Sequence, residues 1–256
     1  YTFGHSKSVN DGTSSVAYSN WQYNYSKDSN SKGELGYSRF DIPHRISLQA
    51  SYTTPKYLNG WMSTTVGITY NASPGGRYSL SYDDAKDFNG DGSRGTTLLY
   101  IPTDKELEDM NFVDNFDKQG NLIMSKEESR EAFRQWILND DYAKNHRGQF
   151  AERNSNLTKW EHEINLHVAQ DIFYLKERGS KIQVTFDVIN FANMLNKKWG
   201  ANYYLPYNLT PVTVSGSTNA DGILVPEYTF KDQSNVLTKN DISSRWHCQV
   251  GVRLTF

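Results

Sequence analysis

The sequence predicts an all-β fold, an antiparallel sheet belonging to a membrane-spanning barrel, on three observations. Five segments alternate apolar and polar residues with the period of two that gives a strand two unlike faces. The connections between them alternate between short turns and very long loops. No stretch approaches about 18 consecutive apolar residues, so a transmembrane helix is ruled out. Spanning strands of about 9–11 alternating residues are not.

The elements are taken in chain order. "YTFGHS" (1–6) reads as the tail of a first strand. "HRISLQASYTT" (44–54) sets Ile46, Leu48, Ala50 and Tyr52 against Arg45, Ser47, Gln49 and Ser51. "WMSTTVGITY" (61–70) sets Met62, Val66, Ile68 and Tyr70 against Ser63, Thr65, Gly67 and Thr69. "WEHEINLHVAQDIF" (160–173) sets Trp160, Ile164, Leu166 and Val168 against Glu161, Glu163, Asn165 and His167. "KIQVTFDVINF" (181–191) sets Ile182, Val184, Phe186 and Val188 against Lys181, Gln183, Thr185 and Asp187. The last strand (244–256) contains "WHCQVGVRLTF", in which Trp246, Cys248, Val250, Val252, Leu254 and Phe256 share one face.

"PKYLNG" and "YLKERGS" are short turns, whereas the connections 7–43, 72–158 and 192–243 are long. Loops of that length count against a compact soluble domain. In a bacterial outer-membrane barrel they are expected, with short turns on the periplasmic rim and long loops outside. The polar faces then suit a wet lumen and the apolar faces lipid. Tyr52, Tyr70, Trp160, Phe173, Phe191 and Trp246 fall near strand ends, where interfacial aromatic girdles belong. A soluble β-sandwich whose apolar faces form its core is the alternative.

Bulk properties agree with either. The 256 residues are 37% hydrophobic and 14% aromatic, and the formal net charge of −2 gives no reason to expect nucleic acid. The single cysteine, Cys248, excludes an internal disulfide framework. Tyr1 opens with no signal peptide ahead of it. Within the middle loop, Ser125 and Glu128 stand at capping-box spacing, and Phe133, Trp136 and Ile137 form a one-sided stripe. This pattern predicts a short amphipathic helix over 125–140.

Few residues suggest chemistry. In "HEINLH", His162 and His167 are spaced wrongly for a zinc helix and lie on opposite faces of a strand. "DFNGDGS" places Asp87, Asn89 and Asp91 like the first half of a calcium loop, with Gly92 allowing the sharp turn. Leu98 stands where the bidentate acid should be, so a solvated turn is the competing reading of this calcium site. No nucleophile elbow, phosphate loop or dinucleotide fingerprint occurs, and nothing argues for an enzyme.

Several stretches carry a resemblance: "YTFGHSKSVNDG", "FDIPHRISLQASY", "DFNGDG…LLYIP", "NHRGQFAERN", "VAQDIFYL" and "VTFDVINFANMLNKKWG". Together with the Phe-terminated strand they resemble the C-terminal part of a TonB-dependent receptor. The nearest subgroup is the Oar-like receptors of Bacteroidetes, which carry a carboxypeptidase-regulatory-like domain. The resemblance implies the last strands of a 22-stranded outer-membrane β-barrel of a Gram-negative bacterium, importing a ligand with energy relayed by TonB. It further implies partners absent from this sequence: the remaining barrel strands and an N-terminal plug, in the same polypeptide or another chain, the part that engages TonB, and the barrel assembly machinery.

On this reading the outer loops capture a peptide or glycan. Trp21, Tyr23, Tyr25, Tyr203, Tyr204 and Tyr207 are candidate ligand contacts, since phenol and indole rings both stack and hydrogen-bond. Gln249, Gly251, Leu254 and Phe256 resemble the signal by which barrel proteins are recognised for membrane insertion. Alternatives are an extracellular β-sandwich that binds carbohydrate or protein, and a passive porin.

Overall fold

The computed structural model describes residues 1–29, 31–84, 87–175, 180–206 and 208–256. Six strands form one antiparallel sheet in chain order: β1 (Thr2–Phe3), β2 (His44–Thr53), β3 (Met62–Pro74), β4 (Trp160–Leu175), β5 (Ser180–Ile189) and β6 (His247–Thr255). All six predicted strands are present as an open meander. β3 pairs with β4 from Trp160↔Pro74 to Ile172↔Met62, and β5 with β6 from Lys181↔Thr255 to Ile189↔His247.

Some boundaries differ from the sequence reading. β3 runs on to Pro74 and β4 to Leu175. β5 stops at Ile189 because Asn190 takes a left-handed φ of 55° and opens a short helix, Phe191–Leu195. The Asn190 amide donates to the carbonyls of Gly200 and Ser244 at 2.8 and 3.0 Å, so its side chain fixes this break. Phe191 therefore leaves the sheet. β6 starts at His247, after a helical turn at Asp241–Ser244 capped by Asn240.

The register gives the sheet two faces. One row runs Leu48, Tyr70, Ile164, and another Tyr52, Val66, Val168, Phe186, Val250, so the apolar sets predicted strand by strand join into one surface. That surface is bare: Leu48 is 61% exposed, Ile68 45%, Phe186 43% and Val252 69%. The opposite face carries Gln49, Thr69, Asn165, His167, Asp187 and Gln249. Phe173 lies on that polar face, next to Lys181 and nearly buried, with Lys56 Nζ 4.1 Å from its ring centroid. It is thus no part of a lipid-facing girdle.

The long connections are not open loops. They fold together into a crown at one end of the sheet, with a core containing Leu80, Leu99, Ile101, Leu107, Phe133, Ile137 and Val212. A three-stranded sheet of Leu80–Asp84, Leu209–Thr218 and Leu224–Phe230 draws on two of the three connections. Two helices pack there, α1 (Asp104–Asp109) and α2 (Lys126–Asn139). Each begins with a complete capping box, Thr103 with Glu106 and Ser125 with Glu128. The predicted amphipathic stripe of α2 buries Phe133 and Ile137 completely, as its period requires.

Candidate functional site

The bare apolar face is bounded toward the crown by a belt of rings. His44 stacks on Trp160 at 6.3 Å, Trp160 on His162 at 6.2 Å, and His162 on Tyr70 at 6.1 Å. Tyr1 extends the belt from β1, its hydroxyl 2.7 Å from His44 Nδ1, and the Tyr70 hydroxyl lies 2.9 Å from His162 Nδ1. At the short-turn end Tyr57 and Trp61 are exposed, and the Tyr174 hydroxyl donates to the Thr255 carbonyl at 3.1 Å. Rings with a polar atom at each rim of an apolar band are the arrangement an interface between water and lipid favours. Among the described residues no helix is long and apolar enough to cross a membrane.

The polar face is internally paired. His167 Nδ1 lies 2.5 Å from Asp187 Oδ1, Lys181 Nζ 2.7 Å from Asp171, and the Gln183 amide donates to the same carboxylate at 2.8 Å. Near its centre Gly67 lines a hollow together with Gln49, His167 and Gln249.

Two cavities of the crown gather rings predicted from the sequence. The first, about 290 Å³, brings Tyr23 and Tyr25 together with Arg39, Arg77, Arg153 and asparagines including Asn24 and Asn208. Its wall is built by one buried ion pair: Arg77 Nη2 lies 2.6 Å from Asp41 Oδ2, and its Nη1 donates to the Asn154 carbonyl at 2.8 Å. Asn154 holds a φ of 55°, and its side chain donates to the Tyr37 carbonyl at 2.8 Å. That turn aims the preceding Arg153 inward, where its Nη1 donates to Asn24 Oδ1 at 2.6 Å and its Nη2 to the Ser8 carbonyl. Gly36 is required beside it, since a Cβ there would lie 2.9 Å from Arg153 Cβ. Burial draws the Arg153 guanidinium down from its ordinary value against the opposing charges of Asp11 and Glu34. Burial raises Tyr25, so its phenol stays protonated and able to donate. Burial also pushes Asp11 up, but hydrogen bonds from Ser8 and the Arg39 N–H, with the Arg153 charge, bring it below the usual carboxylate range.

The second cavity, about 800 Å³, is a broader groove that includes Tyr203, Trp136, Lys159 and Phe230 and shares Tyr78 and Leu205 with the first. Of the ring candidates, Tyr23 and Tyr25 thus meet in one cavity and Tyr203 lies in the other. Trp21 and Tyr204 line neither. Trp21 donates from Nε1 to Ser31 Oγ at 3.1 Å and packs on Tyr18, while Tyr204 pairs with Thr238. Tyr207 lies outside the described residues. The arginines and asparagines escaped the sequence reading because nothing in their spacing joins residues 39, 77 and 153; "YTFGHSKSVNDG", "FDIPHRISLQASY" and "NHRGQFAERN" contain Asn10, Asp11, Asp41 and Arg153, but nothing in them marks a shared site.

In the Asp87 turn, the Asp87 carboxylate accepts from the N–H groups of Asp91 and Gly92 at 2.9 and 2.6 Å, and Asp91 accepts from Ser93 N at 2.8 Å. Asn89 Nδ2 donates to Asp91 at 3.3 Å, and Leu98 is buried. The oxygens are engaged by their own loop, as an Asx-type turn requires. Among the described residues no group of three or more His, Cys, Asp or Glu side chains is placed to hold a metal ion. In β6 the four proposed insertion-signal residues divide by face. Gln249 and Gly251 lie on the polar side, and Leu254, with Phe256 in the same alternation, on the apolar side.

No family model, no curated protein and no solved structure matches the chain.

Proposed function

We propose that this chain is part of the wall of an outer-membrane barrel of the TonB-dependent receptor class, with the crown as its extracellular ligand-capturing structure. The observation that carries the reading is the division of apolar surface. The crown buries a core of its own, while the connected apolar face of the six-stranded sheet is left bare between two sets of aromatic rings. A sandwich would cover that face with a second sheet, whereas a barrel leaves it for lipid. The polar face, with its ion pairs and amides, then lines the lumen.

Sheet stagger supports the same reading. The partner row through Ile46 runs to Ala72 and His162 and then passes beyond β5, whose pairing with β4 begins only at Leu166↔Val188. Such displacement of successive strands is the shear that tilted barrel strands need. Open edges are not tolerated in hydrocarbon, so on this reading further strands must complete the two edges of the sheet, at β1 and β6. A plug and TonB then complete the transporter, and the barrel assembly machinery inserts it. The chain performs transport, with no catalytic step.

Fractionation tests this. Expressed with its native flanking sequence, the protein should sediment with the outer membrane, resist carbonate and high salt, and need detergent for extraction. Release in soluble, monodisperse form without detergent would contradict it.

A further inference from the structure

We infer that the first crown cavity binds an anionic group of the captured ligand, a carboxylate, sulfate or phosphate, between Arg39 and Arg153 and against Tyr23 and Tyr25. The inference deepens the receptor reading and rests on it, since a capture site matters to transport only if the crown faces the outside.

Charge balance around the cavity carries the argument. Of its three guanidinium groups, Arg77 is neutralised by Asp41 at 2.6 Å. Arg153 is almost fully buried, yet its hydrogen bonds go to the neutral oxygens of Asn24 and Ser8. Among the described residues neither Arg153 nor Arg39 forms an ion pair with a carboxylate within 4.0 Å. Two acids act on Arg153 from further off. Glu34 is paired with Lys27 at 3.3 Å, and Asp11 accepts from the Ser8 hydroxyl and the Arg39 backbone N–H. The lining therefore keeps an excess of positive charge, while the chain as a whole carries −2. A buried guanidinium with neutral acceptors is costly unless an anion completes its shell. Guanidinium forks match carboxylate, sulfate and phosphate oxygens in geometry, and the half-buried Tyr25 and exposed Tyr23 add phenol donors and ring surface.

The adjoining groove points to the chemistry of the rest of the ligand. It shares Tyr78 and Leu205 with the anion cavity and continues past Trp136 and Tyr203. A ligand held by an anionic group in the first cavity can lay a longer, uncharged portion across those rings.

The test uses the protein purified in detergent together with the strands that complete its barrel, and probes of one size. These are trigalacturonic acid and its methyl ester, with inorganic sulfate and phosphate as competitors, followed by calorimetry. The acid should bind at least tenfold more tightly than the ester. Arg39→Gln, at an exposed position, should remove most of that difference, and Arg39→Lys should keep part of it. Competition by sulfate or phosphate identifies a site that reads charge alone, and none identifies a carboxylate site. Equal affinity for acid and ester, no binding of any probe, or undiminished acid binding by Arg39→Gln with an unchanged tryptic pattern would each overturn the inference. Outer-membrane fractionation is scored separately. Normal insertion without anion binding removes the inference alone, while anion binding by a detergent-free soluble protein removes the receptor reading.

Discussion

Asp41 and Arg77 form an ion pair in which both side chains are buried, with Arg77 Nε and Nη2 at 2.8 and 2.6 Å from one carboxylate oxygen. The pair joins the segment entering β2 to the segment leaving β3, and Arg77 also lies over the Tyr37 ring at 4.1 Å from its centroid. It is the tie between crown and sheet.

Removing one partner leaves the other charge buried and unpaired, which costs about 3–5 kcal/mol. Arg77→Ala should therefore open the crown to trypsin and lower its unfolding temperature in detergent. The double variant Asp41→Ala with Arg77→Ala should lose clearly less than the two single losses added together. Strict additivity would show that the pair is not the tie.

Asp84 makes crown stability depend on pH. Burial pushes its carboxyl up to about 6, against hydrogen bonds from Gly95 N–H and the Thr97 hydroxyl and with nearby Asp83 adding to the rise. In the unfolded chain the same group releases its proton near pH 4. Between those values the folded chain holds more protons. Stability is therefore greatest below about pH 4 for this group, falls as pH rises to about 6, and is level above that. The effect is up to about 2–3 kcal/mol. Hydrogen-exchange protection of the crown, corrected for the intrinsic rate at each pH, should rise between pH 7 and pH 5 in the parent. Asp84→Asn should flatten that dependence.

Gly251 separates packing from signalling. A Cβ there would lie 2.6 Å from Thr185 Oγ1 on the facing strand, so Gly251→Ala should cost about 1–3 kcal/mol through crowding. Adding Thr185→Ala should recover much of that loss in refolding into detergent. If Gly251 matters only as part of an insertion signal, Gly251→Ala will refold like the parent in detergent and Thr185→Ala will not restore its membrane level.

The legibility of the structure in its sequence tracks the range of the interactions. Strand identity and facing are local, and the alternation around Leu48, Ile68, Leu166, Phe186 and Val250 marks five of the six strands, with the faces the structure keeps. The crown core is not local. Leu80, Leu99 and Val212 come from short apolar runs and Phe133 from the α2 stripe, on two connections, and no period links the four. Two local signals in the connections do correspond to crown elements. "TPVTVSGSTNADGILVPEYTF" alternates on both sides of an Asp-Gly turn, which marks the hairpin Leu209–Thr218 with Leu224–Phe230. "TDKE" carries the capping box that starts α1. Phe173 sits near a strand end as a girdle residue would, but its odd position in the alternation puts it on the polar face.

The central claim is that the apolar face meets lipid, and the cross-strand pair Phe186↔Val250 lies within it. Gln249, one residue along, faces the polar side and is also exposed. The deciding measurement is the free energy of folding into liposomes, within the completed barrel, for Phe186→Lys and Gln249→Lys. Near the bilayer midplane a lysine on the lipid face costs about 2–4 kcal/mol, and on the lumen face much less. The account predicts that loss for Phe186→Lys with Gln249→Lys near the parent. Equal and small losses for both, as for two exposed positions in water, would contradict it.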